Sequence, residues 1–290
     1  MKVLLTGDTG FIGRNMILLL ESEGEEVIGY SIDNGLDIFN KQSLEEHIQK
    51  SDLIMHFAAD ARPGESINTP LETIDMNIKG SLNILEGCRK FNKTLIYPSS
   101  CEIYGDSDTP IKEDYPLKPT NPYAASKAAI DRFCYTYFKA YRLDVKIVRF
   151  FNPYGPYQQL NKIMPTFFRQ AMKGEQITVF NDGSDTRDYV FVDDIVRGMW
   201  LAKDLPAGEA LNLATGRATT NLQVAELIIE YTNSKSTVNF TEYPKLFGGI
   251  TKQVGNNDKA KKLIGWSPQV QLEDGLKRTI GWLKEVYNYE

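Results

Sequence analysis

Three consecutive side chains in the segment YPSSCEIYG, residues 97–105, can donate or accept protons. They are the hydroxyl of Ser100, the thiol of Cys101 and the carboxyl of Glu102. The free thiol has a pKa of about 8.5 and the free carboxyl a pKa of about 4.3, so the two can serve as an acid and a base near neutral pH. On a solvated loop the trio would have no role. Because it directly follows an apolar run, we interpret it as an acid–base site at the end of a buried strand.

Glycine residues follow the first apolar run at the spacing G-x-x-G-x-x-G. They are Gly7, Gly10 and Gly13 in VLLTGDTGFIGRN. After a strand and before a helix, the first two let the backbone turn and approach a pyrophosphate, and the third lets the helix lie against the strand. The amino terminus of that helix then faces the phosphates. The alternative is an ordinary tight turn, but this context favours a dinucleotide cofactor.

The end of the second predicted strand, in EEVIGYSIDNG, bears on which dinucleotide binds. An acidic residue there holds the adenosine ribose and selects NAD over NADP. Ser31 occupies the position expected for it, and Asp33 follows two residues later. Asp33 can hold the ribose, whereas Ser31 leaves room for a 2′-phosphate. We therefore predict NAD, with NADP not excluded.

A second candidate pair is Tyr123 and Lys127 in NPYAASKAAIDRF. The two are four residues apart and so share one face of a predicted helix. A free phenol has a pKa of about 10 and is a poor base near neutral pH. A nearby ammonium and a positively charged nicotinamide would favour the phenolate. Tyr123 then becomes a proton acceptor during hydride transfer. The alternative is a core tyrosine beside a solvated lysine.

The elements that must position these residues alternate along the first half of the chain. This βαβ alternation predicts an α/β fold, a doubly wound parallel sheet with a smaller C-terminal α/β substrate lobe. Ligands of such sheets bind outside the carboxyl ends of the strands. We expect residues 1–155 and about 188–215 to form the cofactor domain, and about 156–187 and 216–290 the lobe. The predicted strands are Lys2–Thr6, Glu26–Ile32, Leu53–Phe57, Thr94–Pro98 and Val145–Phe150, and the helices lie near Phe11–Glu23, Ser43–Lys50, Pro70–Phe91 and Pro122–Arg142.

Composition narrows the class of protein. The chain has 290 residues, 24% of them charged, and a net charge of −5, which argues against a nucleic-acid partner. Three cysteines without a framework spacing favour free thiols, and with only two histidines a metal site is not expected. His56 ends a predicted core strand, where it should pack or hydrogen-bond. Without a signal peptide or a membrane-length apolar run, we expect a soluble, cytoplasmic protein.

At this point the chain resembles the extended short-chain dehydrogenase/reductases, in the NAD-dependent nucleotide-sugar epimerase/dehydratase branch. The resemblance rests on TGDTGFIG, HFAA, NIKGSLNILEGCR, SSCEIYG, YAASK, RFFNPYGP and GSDTRDYVFVDDI. It implies a Rossmann domain, a nucleotide-diphosphate sugar as substrate and a homodimer paired through two long helices per subunit. With it, the candidate cofactor residues are Gly7, Gly10, Phe11, Ile12, Gly13, Asp33, Asp37, Ile38, Phe57, Ala58, Ala59, Asn77, Tyr123 and Lys127.

The reaction that the resemblance implies begins with a transient oxidation. NAD⁺ takes a hydride from carbon 4 of the sugar while the tyrosine takes the hydroxyl proton, and the resulting ketone acidifies carbon 5. Epimerases return the hydride to the opposite face. Dehydratases first remove the carbon 5 proton and expel the carbon 6 hydroxyl. By the same resemblance, Ser100 hydrogen-bonds the carbon 4 oxygen.

The pair Cys101–Glu102 separates these chemistries within the family. The corresponding pair is typically small or neutral in 4-epimerases, Asp-Glu in hexose 4,6-dehydratases, and Ser-Glu in GDP-mannose dehydratases and glucuronate decarboxylases. Cys-Glu resembles the pair of the tunicamycin-pathway 5,6-dehydratase. We expect Glu102 to be the base at carbon 5 and Cys101 the acid at carbon 6. In the alternative, a 4-epimerase, Cys101 packs and Glu102 is solvated.

The same resemblance points to residues that bind the diphosphate of a UDP- or dTDP-hexose. NPYGPYQQLNKIMP has the spacing of the corresponding dTDP-glucose 4,6-dehydratase segment, which assigns Asn152 and Lys162 to the diphosphate. Arg187, in TRDYVF, matches a phosphate-binding arginine whose forked donors suit this group. The chain departs from the family at a second phosphate arginine, where Leu246 stands. Either Lys245 or Lys252 then compensates, or the substrate lies differently.

Overall fold

A six-stranded parallel sheet forms the centre of the fold. The computed structural model describes residues 1–243 and 249–289. The strands are β1 (Lys2–Thr6), β2 (Glu26–Tyr30), β3 (Leu53–His56), β4 (Thr94–Ser100), β5 (Val145–Phe150) and β10 (Ala210–Leu213), in the order β10-β5-β4-β3-β1-β2. Each neighbouring pair is parallel. The predicted α/β fold with a doubly wound parallel sheet is confirmed.

Helices cover both faces of this sheet, which is why its strands are apolar on both sides. Val3 and Leu5 belong to one buried cluster and Leu4 to the other, as the alternation along a strand requires. Helices α1 (Phe11–Ser22) and α8 (Val192–Leu201) pack on the first face, and α2 (Lys41–Lys50), α5 (Gly80–Phe91) and α6 (Pro122–Tyr141) on the second.

The remaining elements add short strands and helices beside the carboxyl ends of the sheet. Strands β6 (Asn152–Tyr154) and β9 (Tyr189–Phe191) pair in parallel, as do β7 (Ile177–Phe180) and β12 (Val238–Thr241); β8 (Thr186–Arg187) and β11 (Thr219–Thr220) pair antiparallel. The helices are α3 (Pro63–Ser66), α4 (Pro70–Ile74), α7 (Ile163–Met172), α9 (Asn221–Thr232), α10 (Asp258–Ile264) and α11 (Leu272–Tyr287). None of the helices in the described ranges has the length and apolarity needed to cross a membrane.

Two predicted elements differ from the structure. The helix predicted near Pro70–Phe91 is divided into α4 and α5 by a π-helical segment, Asp75–Lys79, an irregularity often found at functional sites. Strand β4 extends two residues further than predicted and ends at Ser100.

A buried ion pair fixes helix α6 against the sheet. Arg149, on β5, donates from Nε and Nη2 to the carboxylate of Asp131 at 2.9 Å each, and the two side chains are 2% and 0% exposed. Removal of one partner of such a pair typically costs about 3–5 kcal/mol because the other charge stays buried. The pair therefore holds in place the helix that carries Tyr123 and Lys127.

Candidate active site

A cavity of about 820 Å³ opens at the carboxyl ends of the parallel strands and brings most of the predicted site residues together. This is where a doubly wound sheet binds its ligands. The predicted residues that line it are Gly7, Gly10, Phe11, Ile12, Gly13, Asp37, Ile38, Phe57, Ala58, Ala59, Ser100, Cys101, Glu102, Tyr123, Lys127, Asn152, Lys162 and Arg187.

The glycine loop leaves the space that a dinucleotide phosphate needs. Gly7 has a φ of +71°, and a Cβ there would lie 2.6 Å from the backbone nitrogen of Ala58. A Cβ at Gly13 would lie 2.3 Å from the Gly7 carbonyl oxygen, so only glycine lets α1 approach β1 this closely. Gly10 caps α1 without a side-chain hydrogen bond, which leaves the first amide groups of the helix for an anion. These residues fit a dinucleotide.

Asp33 is held against the glycine loop. Its carboxylate accepts a hydrogen bond of 2.6 Å from the hydroxyl of Thr9, in the glycine loop, and Asp33 is not among the residues that line the cavity. Strand β2 ends at Tyr30, and the turn Ile32–Asn34 carries Asp33 away from the strand direction. Ser31 lines the cavity instead.

Asn77 also differs from its predicted place on the cofactor path, since it does not line the cavity. It lies in the π-helical segment, and its amide oxygen accepts from the backbone nitrogen of Asp60 at 2.8 Å. Its amide nitrogen donates to the Asp60 carbonyl at 3.1 Å and to the Ser126 hydroxyl at 2.9 Å. Asn77 therefore holds the loop after β3 against helix α6, and it affects the cavity by keeping this loop in place.

Ser100 and Tyr123 both line the cavity, Ser100 at the end of β4 and Tyr123 at the start of α6. Burial raises the pKa of Tyr123 above its ordinary value, the charge of Glu102 adds to this, and the hydrogen bond with Ser100 opposes it. The Ser100 oxygen also accepts from the backbone nitrogen of Glu102 at 3.2 Å. The phenol is thus held as a neutral group at the position from which it could exchange a proton.

Lys127 points toward the sheet. Its ammonium donates to the Pro98 carbonyl at 2.6 Å and lies 4.6 Å from the centre of the Tyr97 ring. Burial lowers the pKa of Lys127 to about 8, against smaller opposing effects of Cys134 and Asp131. The ammonium is therefore close to its titration point near neutral pH.

Cys101 and Glu102 line the same cavity as Ser100 and Tyr123. The Cys101 side chain is 2% exposed, and burial raises the pKa of its thiol well above the ordinary value. Burial also raises the pKa of Glu102, while a hydrogen bond from Asn121 and the charges of Arg187 and Lys162 oppose the rise. The cluster thus holds a protonated thiol beside a carboxyl whose pKa burial raises above its ordinary value.

Two residues of this cluster are absent from the sequence prediction. Asn121 donates from Nδ2 to Glu102 Oε2 at 2.9 Å, and only its place before Pro122 at a helix start could have drawn attention to it. Gln253 donates to the carbonyl oxygens of Cys101 and Gly105 at 2.9 and 3.1 Å and so holds the turn that follows β4. No local signal marks Gln253, because its partners are about 150 residues away in sequence.

The predicted diphosphate residues surround the outer part of the cavity. A side cavity of about 120 Å³ is lined by Asn152 and Arg187 together with Glu102. The Arg187 guanidinium donates to the carbonyls of Thr186 and Ile250, and the Lys162 ammonium donates to the Ala61 carbonyl at 3.1 Å.

Of the two lysines expected to replace the second phosphate arginine, the structure describes Lys252. Lys252 is ion-paired with Asp108 at 2.9 Å on the exposed surface, which does not fit a role in the cavity. Lys245 and Leu246 lie outside the described residues.

The fold and this site define a dinucleotide-binding α/β enzyme with an acid–base cluster in its substrate cleft. Residues 3–214 match the model of the NAD dependent epimerase/dehydratase family, and the chain belongs to this family. NAD is the cofactor that the family description names, in agreement with the sequence prediction.

Similar proteins carry several activities. UDP-glucuronate 4-epimerase of Thermodesulfobacterium geofontis is 32% identical, over 93% of this chain and 92% of that protein. The crystal structure of UDP-glucose 4-epimerase from Thermotoga maritima with UDP-glucose has a TM-score of 0.94 and 29% identity, over 99% of this chain and all of that one. The structure of dTDP-glucose 4,6-dehydratase from Streptomyces venezuelae with NAD has a TM-score of 0.93 and 29% identity, over 100% and 99% of the two chains.

Proposed function

We propose that this protein oxidises carbon 4 of a nucleotide-diphosphate hexose transiently and performs dehydratase-type chemistry at carbons 5 and 6. The substrate class is a UDP- or dTDP-hexose or N-acetylhexosamine, and the product is a 4-keto-6-deoxy or a 5,6-ene sugar. One observation carries the proposal: the thiol of Cys101 and the carboxyl of Glu102 line the same cavity as Ser100 and Tyr123.

Ser100 and Tyr123 act at carbon 4. The Ser100 hydroxyl holds the carbon 4 oxygen, and Tyr123 takes the hydroxyl proton. NAD, when bound, would supply the acceptor for the carbon 4 hydride and later its donor. Return of the hydride to carbon 4 would leave a 5,6-ene, and return to carbon 6 would leave a 4-keto-6-deoxy sugar. The buried phenol is neutral in the free protein, so proton transfer depends on the positive charges of Lys127 and of the bound cofactor.

Glu102 and Cys101 act at carbons 5 and 6. Glu102 removes the carbon 5 proton, which the neighbouring ketone acidifies. The electron pair of that C–H bond forms the double bond between carbons 5 and 6, and the C–O bond at carbon 6 breaks. Cys101 gives its proton to the departing oxygen, which leaves as water. For the 5,6-ene, the Glu102 proton then returns to the thiolate and the Tyr123 proton returns to the carbon 4 oxygen. For the 4-keto-6-deoxy product, the Glu102 proton returns to carbon 5, and the proton that Tyr123 took from the carbon 4 hydroxyl restores the thiol.

The outer cavity suits the diphosphate. Lys162 and Arg187 supply two cations there, and the guanidinium can bind phosphate oxygens through two donors at once. Asn152 lies beside them with its amide oxygen buried and without a hydrogen-bond partner among the described residues. A polar group in this state favours a ligand that donates to it.

The second candidate is a UDP-hexose or UDP-N-acetylhexosamine 4-epimerase. The 32% identity to a UDP-glucuronate 4-epimerase and the likeness to a UDP-glucose 4-epimerase favour it. In this reaction Ser100 and Tyr123 would suffice, and Cys101 and Glu102 would take no part.

Incubation of the protein with UDP-N-acetylglucosamine, UDP-glucose and dTDP-glucose in heavy water separates the two. Loss of water with deuterium at carbon 5, or with an exocyclic alkene, supports the dehydratase. Inversion at carbon 4 without loss of water or exchange contradicts it. Glu102→Gln should abolish the exchange and leave reduction of the bound cofactor, whereas Glu46→Gln, an exposed carboxylate on α2, should change neither.

The division into two domains and the homodimer remain proposals. Strand β10 pairs with β5 and helix α8 packs on α1, which supports placing residues 188–215 in the cofactor domain. The aromatic side chains of Phe133 and Tyr135 are exposed on the long helix α6, which suits a face paired with a second copy. Sedimentation analysis tests the dimer.

A further inference from the structure

The carboxylate of Asp8 lies over the end of strand β2. A Cβ at Gly29 would be 2.4 Å from Asp8 Oδ2, so the glycine makes the space for this carboxylate. Asn34 donates from Nδ2 to the same oxygen at 3.0 Å. Asp8 is 6% exposed and is not itself among the residues that line the cavity, although its neighbours Gly7 and Thr9 are. Its Oδ1 is buried with no hydrogen-bond partner among the described residues. Because an unsatisfied buried oxygen is costly, this arrangement favours a ligand nearby that compensates it.

Ser31 belongs to the same face of the chain as Gly29. Residues two apart in extended backbone share a face, and Ser31 is extended, with φ −147° and ψ 161°. Ser31 lines the cavity, is 6% exposed, and its Oγ also has no partner in the part of the chain that the structure describes. Two unpartnered oxygens thus flank the position where a Rossmann domain holds the adenosine ribose.

A second carboxylate is tied to the same loop. The Thr9 hydroxyl donates to Asp33 at 2.6 Å, and Thr9 follows Asp8 directly. The neighbouring cation, Arg14, donates from Nε to the Thr9 carbonyl at 2.8 Å and lies over the Tyr157 ring, and it does not line the cavity. Two carboxylates, Asp8 and Asp33, and one guanidinium are therefore tied to this loop.

We propose that Asp8 is the residue by which this chain selects NAD over NADP. Asp8 belongs to the glycine loop, and its carboxylate takes the role of the acidic residue that other Rossmann domains have at the position of Ser31. The ribose 2′-hydroxyl of NAD can donate to Asp8 Oδ1 or exchange a hydrogen bond with Ser31. The 2′-phosphate of NADP would bring its negative charge against Asp8 and Asp33 and be repelled. The small Ser31 alone would admit that phosphate.

The test measures binding, so it is independent of the proposed reaction. The dissociation constants of NAD⁺ and NADP⁺ are measured by calorimetry on protein freed of nucleotide. For Asp8→Asn, which keeps the shape and the acceptor for Asn34, we expect the preference for NAD⁺ to fall about tenfold or more, as for removal of one charge close to a phosphate. Asp52→Asn, an exposed carboxylate at the opposite end of the sheet, is the control and should keep the wild-type preference.

A second pair of variants guards against a folding defect. Asp8→Ala should lose the preference as well, and Asp8→Ala combined with Ser31→Asp should regain it, because the charge is then at the usual position. Circular dichroism verifies that each variant is folded. If the folded Asp8 variants keep the wild-type ratio of the two dissociation constants, the assignment of Asp8 is overturned.

Discussion

Asn121 links the start of helix α6 to the carboxylate of Glu102. Its Oδ1 accepts from the backbone nitrogen of Ala124 at 2.8 Å, which caps the helix, while its Nδ2 donates to Glu102 Oε2 at 2.9 Å. One amide thus fixes both the helix that carries Tyr123 and the proposed base on the opposite wall of the cavity. The asparagine amide offers an acceptor and a donor on separate atoms, and asparagine is among the preferred helix caps.

The two functions of this amide can be separated by substitution. Asn121→Ser keeps a capping oxygen but loses the donor that lowers the pKa of Glu102, so that pKa rises. Since the base must be ionised, the acid side of the pH profile of kcat should move to higher pH. Asn121→Ala should show the same shift and also lose about 1 kcal/mol of stability with the cap. Matching pH profiles for wild type and Asn121→Ser would contradict the coupling.

The role of Cys101 is tested against another buried thiol. Cys101→Ala removes the proposed acid at carbon 6, and loss of such a group costs about 10²–10⁴ in rate. We expect elimination to slow by at least about 100-fold, while reduction of bound NAD by the sugar, followed by absorbance, persists. Cys88→Ala removes a buried thiol on α5 and should leave elimination unchanged. An equal effect on both steps would mean that Cys101 only packs.

Hydrophobic alternation and glycine spacing predicted the sheet and most of the cavity wall, because both depend on local pattern. The contacts that finish the site join distant segments. Asn77 was assigned to the cofactor path from its motif, but a π-helical segment turns it toward Asp60 and Ser126. Gln253 reaches the Cys101 carbonyl from the far end of the chain. Such contacts follow from packing, which the pattern of one segment does not contain.

The position of the Asp33 carboxylate also depends on packing between separate segments. Asp33 was predicted to hold the adenosine ribose because it closely follows the second strand in sequence. The turn after Tyr30 instead places its carboxylate against the hydroxyl of Thr9. The space over Gly29 that admits the Asp8 carboxylate depends on how the glycine loop lies against β2. His56 behaves as its place at the end of a core strand predicted, since it is buried and hydrogen-bonded to Thr6 and Ser81.

His56 should make the protein sensitive to acid. Burial, aided by the charge of Lys127, lowers the pKa of His56 to about 3, against an ordinary value near 6.5. The unfolded chain therefore binds a proton that the folded protein refuses, and stability falls as the pH drops below about 6.5. Between pH 7.5 and 5 the wild type should lose on the order of 2 kcal/mol more unfolding free energy than His56→Asn. Parallel losses in urea titrations would show that His56 is not responsible.

Lys127 should change stability in the same direction as His56, but at alkaline pH. Burial lowers its folded pKa to about 8, from about 10.5 in the unfolded chain, so the charged form destabilises the fold below pH 8. As the pH rises from 8 toward 10.5, the folded protein has already released the proton and this cost disappears.

Lys127→Met should abolish turnover, because the phenolate of Tyr123 loses a supporting charge. Its unfolding free energy relative to wild type should fall by on the order of 2 kcal/mol between pH 7 and 10. The variant also loses the hydrogen bond to the Pro98 carbonyl. This loss lowers its unfolding free energy equally at pH 7 and pH 10, so it does not contribute to the change between the two pH values. A difference that stays constant with pH would mean that the ammonium is not desolvated in solution.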